Sequence, residues 1–334
     1  MRYLIIGAGA VGGTIGGRLA QSGHDVVLVA RGKQYEALRD HGLRLQTPDG
    51  PHTHRLPVVD GPEALGTLRA DDVLILAVKT QDSTAALAAW GPRPVAGGGT
   101  AAQHLPLVCA QNGVESERIA LRTFRRVYAM CVWLPSTFVE PGVVRAEGTP
   151  LSGILHLGRY PEGSDDTVRA IAEDLGQSHF DAPVVDDVMR WKYAKLVANM
   201  VNSIEAVSGV IDGDEGRALL RQARAEGEAV LAAAGIPYTS QQEEQKVRGG
   251  RIRFEPFDDV PRGGGSSWQS LNRGTGSIEA DYLNGEIALL GRLHGVPTPI
   301  NDVLQEYANE AARQRRPAGA TPVGELTAAI AAHR

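Results

Sequence analysis

Two groups of residues have the types and the spacing to do chemistry. Gly7, Gly9 and Gly12 form a G-x-G-x-x-G run directly behind the apolar residues 2–6. In such a run the first glycine permits a tight turn. The second keeps the backbone free to approach a pyrophosphate, and the third lets a helix pack close to the strand. N–H groups at the start of that helix then face a doubly charged group. The whole loop, Gly7, Ala8, Gly9, Ala10, Val11 and Gly12, is therefore a candidate dinucleotide site. The second group is Lys195, Asn199 and Asn202, at i, i+4 and i+7. On one helix these project from one face. One cation and two amides suit a small, oxygen-rich, anionic substrate, and asparagine is otherwise a poor choice for a helix.

The elements that must position the first group are legible around it. Residues 2–6, a helical pattern through Ile15 and Leu19, and VVLVA at 26–30 make a strand–helix–strand unit. The second strand ends in Arg31, where an NAD enzyme usually carries an acidic residue for the ribose hydroxyls. A guanidinium there suits a 2′-phosphate, so NADP(H) is the expected cofactor. Buried-strand runs recur at 72–78 and 106–110, with strand-like stretches near 127–133, 143–146, 154–158 and 182–185 and helices at 81–90 and 165–176. The alternation predicts a doubly wound, mostly parallel α/β sheet of Rossmann type. From 187 onward the pattern is helical: 191–210, 217–235, 277–294, about 300–315, and the tail. The reading is a dinucleotide-binding domain over 1–186 and an all-helical substrate domain over 187–334, with 248–265 as a Gly/Pro-punctuated loop.

Composition excludes several other classes. A net charge of −5 with no basic stripe argues against nucleic acid. No apolar stretch approaches the roughly 18 residues of a membrane span, so no membrane helix is expected. Cys109 and Cys131 are far apart with no CxxC, so a reducing cytoplasm is expected rather than a disulfide framework, and the nine histidines lack the spacing of a metal site. No G-x-S-x-G elbow is present to suggest a hydrolase.

Further motifs carry a resemblance. Trp191-Lys192-Tyr193-Ala194-Lys195-Leu196-Val197-Ala198-Asn199 is similar to the signature of the ketopantoate reductase family, in which Trp precedes a K-L-x-x-N helix. Ser266-Ser267, followed by Glu279-x-Asp281-x-x-Asn284-Gly285, resembles that family's second signature. Val78-Lys79-Thr80 and Gln111-Asn112-Gly113 follow the glycine loop in the family's order. The resemblance implies transfer of hydride from NADPH to the carbonyl carbon of a 2-oxo acid. Ketopantoate is the implied substrate and (R)-pantoate, for pantothenate biosynthesis, the product. It implies Lys195 as general acid and Glu279 as the carboxylate that helps to bind and orient. Asn199 and Ser267 would bind substrate, Lys79 would lie near the cofactor, and Asn112 near cofactor and substrate. The chain departs from the family in three places. The family's second helix asparagine falls at i+8, where this chain has Ser203, with Asn202 one place earlier; Trp268-Gln269-Ser270-Leu271 replaces Met-Leu-Gln-Asp; and Trp133 and Pro135 are larger than the residues expected beside the nicotinamide half. Two alternatives stay open: an NADP-dependent dehydrogenase acting on another 2-oxo acid, and a non-catalytic NADP-binding sensor. A homodimer paired through the helical half is also expected.

Overall fold

The computed structural model describes residues 1–211, 213–255, 257 and 264–333. The chain divides into two units, Met1–Lys192 with Ser240–Val260, and Tyr193–Thr239 with Pro261–Arg334. This differs from the division read at 186/187 in two ways. The boundary falls inside a helix, because Trp191 and Lys192 are packed into the first unit: the Trp191 ring stacks on His156 at 3.9 Å, and Lys192 is buried. Segment 240–260 also returns to the first unit, because part of it pairs there as a strand.

The strands of the first unit are β1 (Arg2–Ile6), β2 (Asp25–Val29), β3 (Leu43–Thr47), β4 (Gly50–His54), β5 (Val58–Val59), β6 (Asp72–Leu76), β7 (Leu107–Cys109), β8 (Val127–Trp133), β9 (Ser136–Glu140), β10 (Val143–Ala146), β11 (Gly148–Pro150), β12 (Gly153–Arg159), β13 (Phe180–Asp181) and β14 (Ile252–Phe254). Its helices are α1 (Ala10–Gln21), α2 (Gly32–His41), α3 (Ser83–Trp90), α4 (Ala101–His104), α5 (Ser116–Leu121) and α6 (Asp166–Gly176). The main sheet has the order β13-β12-β8-β7-β6-β1-β2-β5. From β5 to β8 it is parallel, with β12 antiparallel to β8 and β13 parallel to β12. Strand β1 therefore has β2 on one side and β6 on the other, the point where strand order reverses. Ligands in such sheets bind outside the carboxyl ends of the strands at that point. Leu4, Ile5 and Ile6 are buried, as continuous apolar runs are when both faces of a parallel sheet are covered. A bidentate pair from Arg2 to Asp72, 2.6 and 2.7 Å, ties β1 to β6.

A second sheet, β4-β3-β10-β9, was not expected from the sequence beyond its strand at 143–146. It covers the far side of α1, and glycine makes that possible. A Cβ on Gly12 or Gly16 would meet Ile5 of the main sheet at 2.9 and 3.0 Å. A Cβ on Gly13 or Gly17 would meet Val144 or Leu45 of the second sheet at 3.0 Å. Two flanks of one helix are thus in close contact with two sheets. Each glycine costs roughly 1 kcal/mol of helix propensity, which the close packing offsets. The buried Arg18 fixes the arrangement, with Nε donating to Ser152 Oγ at 2.8 Å and Nη2 to Asp49 at 3.1 Å.

On β12, His156 is 2% exposed, and neither ring nitrogen has a partner among the described residues. Burial pushes its pKa down from 6.5 to about 4. The folded protein thus holds this ring neutral where the unfolded chain protonates it. Stability from this group is complete above about pH 6.5 and is lost as pH falls toward 4, by about 3 kcal/mol in all. Denaturant titrations at pH 7 and pH 4.5 are expected to show a smaller acid loss for His156→Phe than for the native chain.

Helix α7 (Val188–Ala198) carries the chain from the first unit into the second. The second unit continues with α8 (Val201–Ser208) and α9 (Asp214–Ala233). Helix α10 (Gln241–Arg248) belongs to the first unit. Helices α11 (Ser266–Asn272), α12 (Asn284–His294), α13 (Pro299–Arg313) and α14 (Val323–His333) complete the second. The continuous helix expected over 191–210 is broken at Asn199–Met200. There Met200 N–H reaches back three residues to Val197 O, at 3.3 Å, and a new helix starts at Val201. A buried polar chain runs through the helices. Ser203 Oγ donates to Asn284 Oδ1 (2.6 Å), Asn284 Nδ2 to Asn301 Oδ1 (2.9 Å), and Asn301 Nδ2 to Glu226 Oε2 (2.9 Å). The Glu226 carboxylate also accepts the Ile300 and Asn301 N–H groups at the start of α13, both at 3.0 Å. Among the described residues no helix is long and apolar enough to cross a membrane, and no group of His, Cys, Asp or Glu is placed to hold a metal ion.

Candidate functional site

In the first unit the glycine loop leaves β1 with Gly7 at φ +104°, a conformation that favours glycine. A Cβ there would also lie 2.7 Å from Val78 N. Gly7 and Ala8 donate their N–H groups to Val29 O, both at 3.1 Å, which fastens the loop to β2. Gly9 is different: a Cβ there would meet nothing within 4 Å. Its open face adjoins the start of α1, which has no side-chain cap and no acidic residue in its first turn. Uncapped N–H groups beside an open glycine fit a pyrophosphate. Gln34 on α2 is a part the sequence did not reveal. Its Nε2 donates to Ala8 O and its Oε1 accepts Gly142 N–H, both at 2.7 Å, joining the loop to the β9–β10 turn. No motif marks Gln34, because both its partners are backbone groups.

Arg31 is exposed at the N-cap of α2, beyond the end of β2. Lys79 is the N-cap of the short 3₁₀ turn that follows β6, and Asn112 follows β7. The Asn112 carbonyl accepts Thr80 Oγ1 at 3.4 Å, and its side-chain Oδ1 is buried with no partner among the described residues. All these residues lie at or beyond the carboxyl ends of parallel strands in the first unit.

In the second unit, Lys195 is half-buried on α7. One turn on, Asn199 Nδ2 is buried with no partner among the described residues. Asn202 is 7% exposed and lies under the approach to α11, where a Cβ on Gly265 would come within 2.9 Å of its Oδ1. Glu205 Oε2 accepts Gly265 N–H at 3.1 Å and holds that approach in place. Ser267, in the first turn of α11, is 2% exposed with its Oγ unpartnered among the described residues. Ser203, weighed with Asn202 for the second amide position, is fully buried with its hydroxyl committed to Asn284. Ser203 lies beyond the break before α8, so uninterrupted helical spacing from Lys195 does not place it. Glu279 is half-buried beside Arg273, whose guanidinium loses solvation while the Glu279 charge favours its protonated form. Arg273 was also missed, since nothing in its spacing relates it to Glu279.

Models of the ketopantoate reductase PanE/ApbA family match residues 3–162, and those of its C-terminal domain match residues 187–312. A 2-dehydropantoate 2-reductase of Archaeoglobus fulgidus is 30% identical over 317 residues, 91% of this chain and 95% of that protein. A crystal structure of a PanE/ApbA family ketopantoate reductase from Ralstonia eutropha JMP134 superposes with a TM-score of 0.77 at 27% identity, over 95% of this chain and 100% of the other. A ternary structure of D-mandelate dehydrogenase with NADH and anilino(oxo)acetate shares the fold, with a TM-score of 0.78 at 22% identity, covering 95% of this chain and 100% of that one. Matched in both units, the chain belongs to the ketopantoate reductase PanE/ApbA family of NADP-dependent oxidoreductases.

Proposed function

We propose that this protein reduces the carbonyl of ketopantoate to the hydroxyl of (R)-pantoate, with Lys195 as general acid. The observation that carries the reading is the contrast among polar groups of the second unit. Ser203, Asn284 and Asn301 spend their side chains on one another, whereas Asn199 Nδ2 and Ser267 Oγ are buried and unpartnered among the described residues. Buried polar groups left open need an explanation, and an oxygen-rich substrate provides one.

When bound, NADPH supplies the hydride. The residues of this chain do the rest. The uncapped start of α1 and the open face of Gly9 would hold the pyrophosphate, and Arg31 would pair with the 2′-phosphate. Lys79 and Asn112 would hold the nicotinamide end. Asn199, Asn202 and Ser267 bind the substrate oxygens, and Glu279 orients the site. Lys195 Nζ gives its proton to the carbonyl oxygen as that oxygen gains negative charge. This stabilises the transition state more than the ground state. With hydride supplied by NADPH, which would be left as NADP+, and a proton from Lys195, the product would be a 2-hydroxy acid.

A second reading is reduction of a different 2-oxo acid. It is favoured by Trp133 at the carboxyl end of β8, whose ring is covered by the Arg248 guanidinium 3.2 Å from its centroid. NADPH oxidation against ketopantoate and a panel of branched and aromatic 2-oxo acids tests both. The first reading requires the highest kcat/KM on ketopantoate. A better acid selects the second, and no turnover with any of them removes both.

A further inference from the structure

One buried charged pair in the first unit takes no part in the chemistry just described. Lys192 is 3% exposed and Glu117 is fully buried, and the Lys192 ammonium donates to Glu117 Oε1. It also donates to the backbone carbonyl of Gln111, at 3.2 Å. Such a pair is a costly way to hold two elements together. Burial pushes the Glu117 carboxyl above its ordinary range, although Lys192 pulls it down, and Glu117 Oε2 has no partner among the described residues. Apolar side chains of the same size would hold helix and loop at least as well. What they would not do is donate to the Gln111 carbonyl.

That carbonyl is in the peptide that leads into Asn112. The same two residues are held from other directions as well. Gln111 Nε2 donates to Ser83 Oγ at 2.7 Å, and Thr80 Oγ1 donates to the Asn112 carbonyl at 3.4 Å. The backbone carbonyls on either side of the Asn112 side chain are thus pinned to Lys192 and to the turn after β6, while the Gln111 side chain is tied to α3. The side-chain Oδ1 itself is left buried and unpartnered among the described residues. A fixed backbone under an open amide is how a binding group is preorganised, since its ordering is complete before the ligand arrives.

We infer that Lys192, braced by Glu117, is a positioning residue that fixes the 111–112 peptide so that the Asn112 amide meets the nicotinamide end of NADPH. This rests on the role given to Asn112 above. It does not depend on which acid is reduced.

The test is a double-mutant cycle on the full-length protein, read first as the NADPH dissociation constant from nicotinamide fluorescence. Lys192→Met alone would leave Glu117 as an unpaired buried charge and threaten folding. The swap is therefore Lys192→Met together with Glu117→Met, with the melting temperature followed alongside. The expected result is a near-native melting temperature and NADPH binding weakened about tenfold. Asn112→Ala should weaken binding to a similar degree. Adding the swap to Asn112→Ala should then cost less than about twofold more, because the residue being positioned is gone. Lys192→Arg, which keeps a donor and a charge, should recover part of the affinity. Native affinity in the stable swap, or effects of swap and Asn112→Ala that simply multiply, would overturn the inference. Because the readout is cofactor binding, the cycle decides the matter even if no 2-oxo acid is turned over.

Discussion

Lys195→Ala is expected to lower kcat by about a thousandfold, with NADPH affinity within about twofold of native. A positioned general acid contributes on that order, and in the proposed role Lys195 would also bring its positive charge to an oxygen that becomes negative. Alanine is the best helix former, and position 195 lies in the last turn of α7, so the helix should persist. Lys195→Arg is the more revealing companion. It keeps the charge, but a guanidinium holds its proton far more tightly, so a charge-only role would be largely rescued and a proton-donating role would not. Single-turnover rates, cofactor fluorescence and melting curves together make the measurement. A native kcat in Lys195→Ala would remove this residue from the mechanism and assign the proton to another donor.

The second large effect is expected at Gly12. A Cβ there would lie 2.2 Å from Gly7 O, 2.9 Å from Ile5 Cγ2 and 3.0 Å from Ala77 Cβ. The first is a backbone atom of the loop itself and has nowhere to go. Gly12→Ala must push the start of α1 away from β1, at a cost of about 3 kcal/mol. The loop geometry goes with it, so NADPH affinity should fall by about a hundredfold or more. Gly9→Ala separates the two consequences. Its methyl group would meet nothing within 4 Å beyond the adjoining residues, so the melting temperature should hold while cofactor affinity drops. If Gly9→Ala binds NADPH as well as the native chain does, the pyrophosphate does not lie against that face.

The elements around the glycine loop were readable because their signals are local. The glycine loop, β1, β2, β6 and β7 each announce themselves within a few residues. Strands β3, β4 and β9 do not. LRLQT and GPHTH are short and polar, and they become strands only by pairing with each other and with β10. Segment 248–265 reads as loop from its glycines and prolines, yet Ile252–Phe254 pairs with β11, a partner about a hundred residues away. The break at Asn199–Met200 escaped for a related reason: apolar spacing continues through it, and only hydrogen bonding distinguishes two helices from one. In the candidate site, Lys195 and Asn199 were named from helical spacing and again from motif resemblance, Ser267 and Glu279 from the resemblance alone. Gln34 and Lys192 in the first unit act through backbone atoms, and Arg273 in the second through its charge, and periodicity carries no trace of that.

Helix α1 has one further consequence, for redesign. In a nucleotide-binding fold with a single covering layer, the outward side of this helix is free to vary, and a helix borrowed from a relative can be grafted in. Here both flanks are spoken for, one by Ile5 and Leu28 and the other by Leu43, Leu45 and Val144. An imported segment carrying ordinary surface residues at 13 and 17 would wedge the second layer off its support. Attempts to exchange cofactor preference by transplanting this region should carry β3, β4, β9 and β10 along with it, or leave the helix alone and alter only the residues just beyond β2.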